Sequence, residues 1–176
     1  MDLLFVVDSS GSVGSVYEKQ KHFLSSILEN VNTEDQSHRV AFIQFAGARL
    51  QKMERPFASF RHNEEILQAF NNLRHFTGTT YIGAALEMAL IQLVSRRTHV
   101  PTIVIVLSDG FSHDDVREAA TSIRSLENVE VFVASLARLS NIPTLLEIAG
   151  DESRLFINEE VDFLKTRLLN RLQCDL

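Results

Sequence analysis

Residues 3–14 read Leu-Leu-Phe-Val-Val-Asp-Ser-Ser-Gly-Ser-Val-Gly, an apolar run that ends in one acid with hydroxyls at alternating positions beyond it. The residues able to do chemistry here are Asp8, Ser10 and Ser12. A buried parallel strand would supply such a run, and a turn past its carboxyl end would gather these oxygens on one rim. Hard divalent cations are held by oxygen, and Mg²⁺ needs few protein charges because it keeps several waters. The stretch is therefore a candidate metal site, provided that further oxygens arrive from elsewhere in the chain.

Two segments offer them. Residues 77–86, Thr-Gly-Thr-Thr-Tyr-Ile-Gly-Ala-Ala-Leu, place hydroxyls between Gly78 and Gly83 where a loop feeds a helix. Taken alone, a threonine at that junction reads as a helix N-cap. Val106-Leu-Ser-Asp-Gly ends a β-branched strand at Asp109, and taken alone Asp109-Gly110 reads as a turn. Together they read differently. In a doubly wound sheet, ligands bind at the carboxyl edge where the strand order reverses. Strands ending at Asp8 and Asp109 would flank that point. Asp8, Ser10, Ser12, one threonine of the 79–80 pair and Asp109 would then converge. Two carboxylates neutralise a divalent ion, three hydroxyls fill part of an octahedron, and at least one position is left for water or an outside carboxylate.

The elements that must position these residues alternate between strand and helix, which calls for an α/β sheet covered on both faces. Strands are expected at 3–7, 39–45, 102–107, 130–135 and 154–157, and the polar stretch 48–56, ending at Pro56, suits an edge strand. Helices are expected at 16–31, 63–73 with Asn63 as N-cap, 82–95, 113–126, 141–149 and 159–173. The last carries Val161, Leu164, Leu168 and Leu172 on one face. With no repeat, low-complexity tract or linker, residues 1–176 read as a single domain.

Composition narrows the function classes. The chain has 176 residues, 45% hydrophobic and 23% charged, an ordinary globular balance. Its net charge of −6 argues against a nucleic-acid partner, which needs a basic patch. No stretch approaches the roughly 18–20 apolar residues of a membrane span, so no direct membrane insertion is expected. No signal segment is expected, because Asp2 follows Met1 and the first apolar run is short. Met1 directly before the first strand reads as a start residue added to an excised module, so that says little about compartment. The lone Cys174 has no internal partner; it is either an incidental thiol or pairs with a cysteine outside this segment, as in an extracellular multidomain chain.

Enzyme chemistries fit poorly. A phosphoryl-accepting Asp8 would want a second acid where Ser10 stands. A P-loop would need a lysine that Gly11-Ser-Val-Gly14-Ser lacks. A serine hydrolase would want Gly-x-Ser-x-Gly, but Ser12 directly follows Gly11. The histidines at 22, 38, 62, 75, 99 and 113 show no zinc-like spacing and read mostly as surface or helix residues, with His113 nearest Asp109. A binding module, not an enzyme, is expected.

Asp8-x-Ser10-x-Ser12 after an apolar strand, Gly78-Thr-Thr80-x-Ile-Gly83-x-Ala85-Leu86 and Ser108-Asp109-Gly110 resemble the von Willebrand factor type A domain, also called the integrin I domain. The resemblance runs from about residue 2 to 174. It implies a Rossmann-like, doubly wound, mostly parallel six-stranded sheet with one antiparallel edge strand. It also implies that Asp8, Ser10, Ser12, Thr80 and Asp109 form a metal-ion-dependent adhesion site for Mg²⁺ or Mn²⁺. Matching the family's Gly-Gly-Thr-x-x-Gly onto 78–83 selects Thr80, and Thr79 replaces the usual second glycine. By the same resemblance Ser10, Ser12 and Thr80 contact the metal through hydroxyls, and Asp8 and Asp109 act through water or directly.

Within the family, FVVDSSGSVGS looks most like the A domains of collagens and matrilins. The implied function is metal-dependent binding of a protein that offers a Glu or Asp carboxylate, at the cell surface or in the extracellular matrix, within a larger secreted or cell-surface protein. Val13, Ser15, Tyr17, Tyr81, Phe111, Ser112 and His113 would form the ligand-binding rim. The segment from Ser135 to Arg154 is too short for the extra helix of collagen-binding integrin domains, so that specificity is not implied. The alternative is an intracellular scaffold domain with a structural or vestigial metal site. In integrin relatives the final helix slides along the sheet; here a fixed packing helix is the plainer reading of 159–173.

Overall fold

The structure, a computed structural model, describes residues 1–34, 37–57, 59 and 62–174. Its strands are β1 (Asp2–Asp8), β2 (Arg39–Phe45), β3 (Gln51–Arg55), β4 (Thr102–Leu107), β5 (Val129–Ser135) and β6 (Leu155–Ile157). Its α-helices are α1 (Tyr17–Leu28), α2 (Asn63–Asn71), α3 (Ile82–Leu93), α4 (Arg117–Arg124), α5 (Ile142–Ala149) and α6 (Val161–Cys174). The sheet has six strands in the order β3-β2-β1-β4-β5-β6. All pairs are parallel except β2 with the polar edge strand β3, as expected.

Alternation along each strand builds a separate core on each face of the sheet, because successive side chains point to opposite sides. Leu4 and Val6 of β1 and Val104 and Val106 of β4 pack with Ile82, Leu86 and Leu93 of α3, Ile123 of α4 and Leu145 of α5. Leu3, Phe5 and Val7 with Ile103 and Ile105 face the other way, onto Leu24 and Ile27 of α1, Ile66 and Phe70 of α2, and Leu164, Leu168 and Leu172 of α6. Covering both faces leaves the carboxyl edge as the natural opening. There the order reverses between β1 and β4, and the register sets Asp8 opposite Phe45 and Val7 opposite Leu107.

Three local expectations are corrected. Asn63 is the first residue of α2, and His62 is its N-cap. The Asn63 Oδ1 instead accepts from the backbone N and the hydroxyl of Thr33, both at 2.9 Å, tying the α1–β2 connection to α2. The fourth helix starts at Arg117 rather than 113, because His113 is committed to the loop at Thr80 and Asp114 to the first turn of α3. His38 is buried at 1% exposure, with its Nδ1 accepting from Asn32 N at 2.9 Å, so it is not a surface residue.

Candidate metal-ion site

Asp8 is the last residue of β1 and is fully buried. Its Oδ1 accepts from Ser10 N at 2.9 Å, and its Oδ2 accepts from Ser108 Oγ at 2.6 Å. Burial pushes the Asp8 carboxyl up to about 6, against the opposing pull of the Ser10 and Ser108 hydrogen bonds. A carboxylate desolvated to that degree favours a nearby cation or a proton.

Beyond Asp8 the chain makes a single 3-10 turn over Gly11–Val13. That turn brings Ser10 Oγ within 3.1 Å of Ser12 Oγ; Ser10 is buried and Ser12 is exposed. Gly11 N donates to Gly78 O at 2.9 Å and Thr77 N donates to Ser9 O at 2.8 Å, so the first loop is stitched to the 77–81 loop. Thr77 carries a φ of 64°, a left-handed backbone that a β-branched residue adopts at a cost, and Gly78 continues it at 91°. The pair turns the chain so that Thr80 is nearly buried, at 3% exposure. Among the described residues no protein group hydrogen-bonds the Thr80 hydroxyl. Thr79 faces elsewhere, with its Oγ1 3.1 Å from where a side chain on Gly47 would begin.

The third loop follows β4. Asp109, 2% exposed, accepts from Phe111 N through Oδ1 at 3.1 Å, and its backbone oxygen accepts from Asn141 N at 2.8 Å. Gly110 has a φ of +82°, and a Cβ there would meet Asn141 O at 2.8 Å, so the turn has no room for another residue. His113 N donates to Thr80 O at 2.9 Å, and its Nδ1 lies 3.0 Å from the same oxygen, which calls for the Nδ1–H tautomer. The three loops are thus mutually tied, and Asp8, Ser10, Ser12, Thr80 and Asp109 share one edge at the switch point.

Several supporting groups escaped the sequence reading. Asp114 caps α3 from 30 residues away: its Oδ1 accepts from Gly83 N at 2.9 Å and its Oδ2 from Ala84 N at 2.8 Å. Ser112 Oγ accepts from Ile82 N at 3.0 Å and donates to Asp114 at 2.6 Å. Under the first loop, Gln44 Nε2 lies 2.7 Å from Ser9 Oγ and 2.9 Å from the Tyr17 hydroxyl, while His75 stacks on Tyr17 at 4.6 Å and faces Ser10 O at 2.8 Å. A glutamine inside an otherwise apolar strand, RVAFIQF, was the available hint.

The expected rim is only partly a rim. Ser15, Phe111 and His113 are exposed, and Tyr81 and Ser112 are half-buried. Val13 is fully buried and Tyr17 is 2% exposed, so these two support the loop from inside and do not face a partner. Val13 packs with Val16 and Ala137, and Tyr17 is held by Gln44 and His75.

Whether the edge suits a metal is a question of donor chemistry. Among the described residues no group of three or more His, Cys, Asp or Glu side chains is placed to hold an ion. The oxygens along that edge are two carboxylates and three hydroxyls, a hard and mostly neutral set that would match Mg²⁺ or Mn²⁺ better than a soft ion. Among the described residues no protein group donates to Asp109 Oδ2 or hydrogen-bonds the Thr80 hydroxyl, and a desolvated Asp8 lies close enough to feel the Asp109 charge. The residues fit such an ion.

A sheet of this order, covered by helices on both faces, defines the class as a doubly wound α/β fold. The model of the von Willebrand factor type A domain matches residues 2–170, and the chain belongs to that family. Among known proteins it is 31% identical to matrilin-1 of Bos taurus over 173 residues, and 30% identical to the collagen alpha-6(VI) chain of Homo sapiens over 169. It is also 28% identical to cuticlin-6 of Caenorhabditis elegans over 174 residues. These alignments take in 94%, 93% and 98% of this chain but 30%, 7% and 30% of the relatives, so the chain spans a third or less of their length. The matrilin and collagen kinship agrees with the resemblance drawn from FVVDSSGSVGS.

Solved structures agree on the fold. Proximal thread matrix protein 1 of the mussel byssus superposes with a TM-score of 0.81 at 23% identity, over 99% of this chain and 45% of that one. A second structure of that protein, with a TM-score of 0.80 at 23% identity over 98% of this chain and 45% of that one, has a zinc-occupied MIDAS motif. The manganese-loaded TRAP protein of Plasmodium vivax gives 0.77 at 19% identity, over 98% of this chain and 72% of that one. At these identities the likeness is one of fold. No helix among the described residues is long and apolar enough to cross a membrane.

Proposed function

We propose that residues 1–176 act as one von Willebrand factor type A domain that binds a protein partner through a divalent cation, within a larger extracellular or cell-surface protein. The observation that carries this reading is the stitched edge itself: two buried carboxylates and three hydroxyls, with the Thr80 hydroxyl and one oxygen of Asp109 left without donors among the described residues. Ser10, Ser12, Thr80, Asp8 and Asp109 would hold Mg²⁺ or Mn²⁺. When bound, such an ion supplies an exposed positive charge with a coordination position for an incoming Glu or Asp carboxylate.

The remaining roles belong to the chain. Ser108 orients Asp8, His113 fixes the Thr80 backbone, and Asp114 holds the start of α3 so that the 77–81 loop keeps its shape. Ser15, Tyr81, Phe111, Ser112 and His113 would touch a partner, and because three of the five donors are neutral hydroxyls, a partner carboxylate could still enter the ion's shell. Nothing in the arrangement favours catalysis: His75 faces the Ser10 carbonyl rather than its hydroxyl, so no imidazole stands ready to activate that serine. Kinship with matrilin and collagen chains supports an extracellular setting, where Cys174 would pair with a cysteine outside this segment.

Thermal unfolding in millimolar Mg²⁺, Mn²⁺ or EDTA tests the reading, because an ion bound only to the folded form must raise the melting temperature. Asp8→Ala and Asp109→Ala should fold yet lose both the metal-induced rise and metal-dependent partner binding. Chelator-insensitive partner binding in those variants would instead favour a scaffold domain with a vestigial site.

A further inference from the structure

The segment between β5 and α5 enters the carboxyl edge beside Asp109, and sequence motifs single out nothing in it. Asn141 N donates to Asp109 O at 2.8 Å, and the hypothetical Cβ of Gly110 would meet Asn141 O and the Leu145 side chain at 2.8 Å. Ser135 Oγ and Ser140 Oγ, 2.8 Å apart, close the loop between them. No further helix intervenes before Ile142, so the chain runs directly past Asp109 and Gly110.

On these two touching segments lie Phe111, Leu139 and Ile142, exposed by 47%, 76% and 42%. Large apolar side chains left in water beside a polar centre mark an interaction surface when they share one place. Elsewhere on the described surface the highly exposed ones are Ile91 and Val94 on α3, Phe163 on α6 and Leu50 after β2, each on a different element from this group. The charge pattern is equally local. Segments 109–113 and 136–142 expose no acid, although the chain as a whole carries −6. Arg138 is exposed next to Leu139, and among the described residues no acid lies within ion-pair distance of it.

We infer that Phe111, Leu139 and Ile142, with Arg138, form a specificity shelf that selects an acidic residue flanked by bulky apolar side chains on the bound partner. The inference rests on the carboxylate-binding reading of the site and adds the identity of the neighbouring partner residues. Once the partner's carboxylate is anchored at the Asp109 loop, the residues beside it fall on the adjoining 111 and 139–142 segments. Apolar flanking residues there would cover surface now exposed to water. Arg138 attracts the acidic segment without entering the ion's shell, and a lysine-rich or uniformly polar segment gains nothing from this side.

Two labelled ten-residue peptides test it, each with one central glutamate, flanked on both sides by phenylalanine in one and by serine in the other. Fluorescence anisotropy is read with the wild type and with the Leu139→Ser/Ile142→Ser double variant, in Mn²⁺ and in EDTA. Both substitutions are at exposed positions and leave the fold intact. The expected result is about tenfold tighter Mn²⁺-dependent binding of the phenylalanine-flanked peptide to the wild type, reduced to within about twofold in the double variant. That variant should keep its binding of the serine-flanked peptide. Leu139→Trp adds a second readout, because the chain has no tryptophan of its own: its emission should shift to the blue only with the apolar-flanked peptide. Equal binding of both peptides, or a preference that survives the double variant, overturns the shelf while leaving the metal reading intact. Absence of any EDTA-sensitive binding overturns both.

Discussion

Ser108 Oγ donates a 2.6 Å hydrogen bond to Asp8 Oδ2, joining the ends of β1 and β4 across the point where the strand order reverses. This bond lies wholly inside the protein and does two things. It fixes the rotamer of the buried carboxylate, and it stabilises the ionised form against burial.

Ser108→Ala should therefore keep the fold and weaken the site. Without the donor, the Asp8 carboxyl rises further and its orientation is freer. Metal affinity should fall by about tenfold, corresponding to roughly 1.4 kcal/mol, near the lower end of what one hydrogen bond to a charged group contributes. Calorimetric titration with Mn²⁺ measures this, and the circular dichroism spectrum should be unchanged.

The pH dependence has a definite sign. Asp8 is raised from 3.8 to about 6 in the metal-free fold, chiefly by burial, so its proton stabilises that fold at acid pH. The contribution is complete below about pH 4 and is lost as the pH rises through about 6. By linkage it amounts to roughly 3 kcal/mol. In EDTA the wild type should gain on Asp8→Asn as the pH falls from 7.5 to 5. The rise in melting temperature caused by Mg²⁺ should show the opposite trend, large at pH 7.5 and small at pH 5, because ion and proton compete for one carboxylate.

Much of this was legible in the chain. Apolar runs gave strands to within a residue or two, and Asp8 and Asp109 lie at the ends of two such runs, where topology makes them neighbours. What was hidden depends on contacts between distant segments. Asp114 looks like an N-terminal acid of its own helix, yet its oxygens serve α3. Val13 and Tyr17 lie close to the hydroxyls in sequence and read as rim residues, but the 3-10 turn over Gly11–Val13 buries Val13, and Tyr17, at the start of α1, is turned inward onto Gln44 and His75. Gln44 and His75 become partners of Tyr17 only once β2 and the 72–77 segment are folded against α1.

Asp114→Ala removes both caps from the first turn of α3 and should cost about 1–2 kcal/mol. Asp114→Asn, which keeps one acceptor oxygen, should cost about half as much. The 77–81 loop depends on this turn, so Mn²⁺ affinity should fall along with stability in both. Gly83→Ala should be worse than either, because a Cβ there would lie 2.2 Å from Asp115 O. Urea titration separates the three.

The docking of α6 is held partly by charge. Arg171 bonds Glu130 of β5, and Arg167 lies 4.8 Å above the ring of the buried Phe132. Burial alone would raise the Glu130 carboxyl, but the Arg171 hydrogen bond and charge hold it below its usual range. Both partners of the ion pair are about a third exposed, so a Glu130→Gln/Arg171→Ala double-mutant cycle should show a coupling of only about 0.5–1 kcal/mol, reduced in high salt. The apolar stripe Val161, Leu164, Leu168 and Leu172 should dominate, with Leu168→Ala costing about 2–4 kcal/mol.

One diffraction experiment bears most directly on the whole account: crystals equilibrated with Mn²⁺ at pH 7.5, measured at a wavelength that reveals manganese. A single anomalous peak should appear among the oxygens of Ser10, Ser12, Thr80, Asp8 and Asp109, and vanish in Asp109→Ala. A peak elsewhere on the molecule, or none at that edge while it is open to solvent, would contradict the assignment of these five residues to a cation.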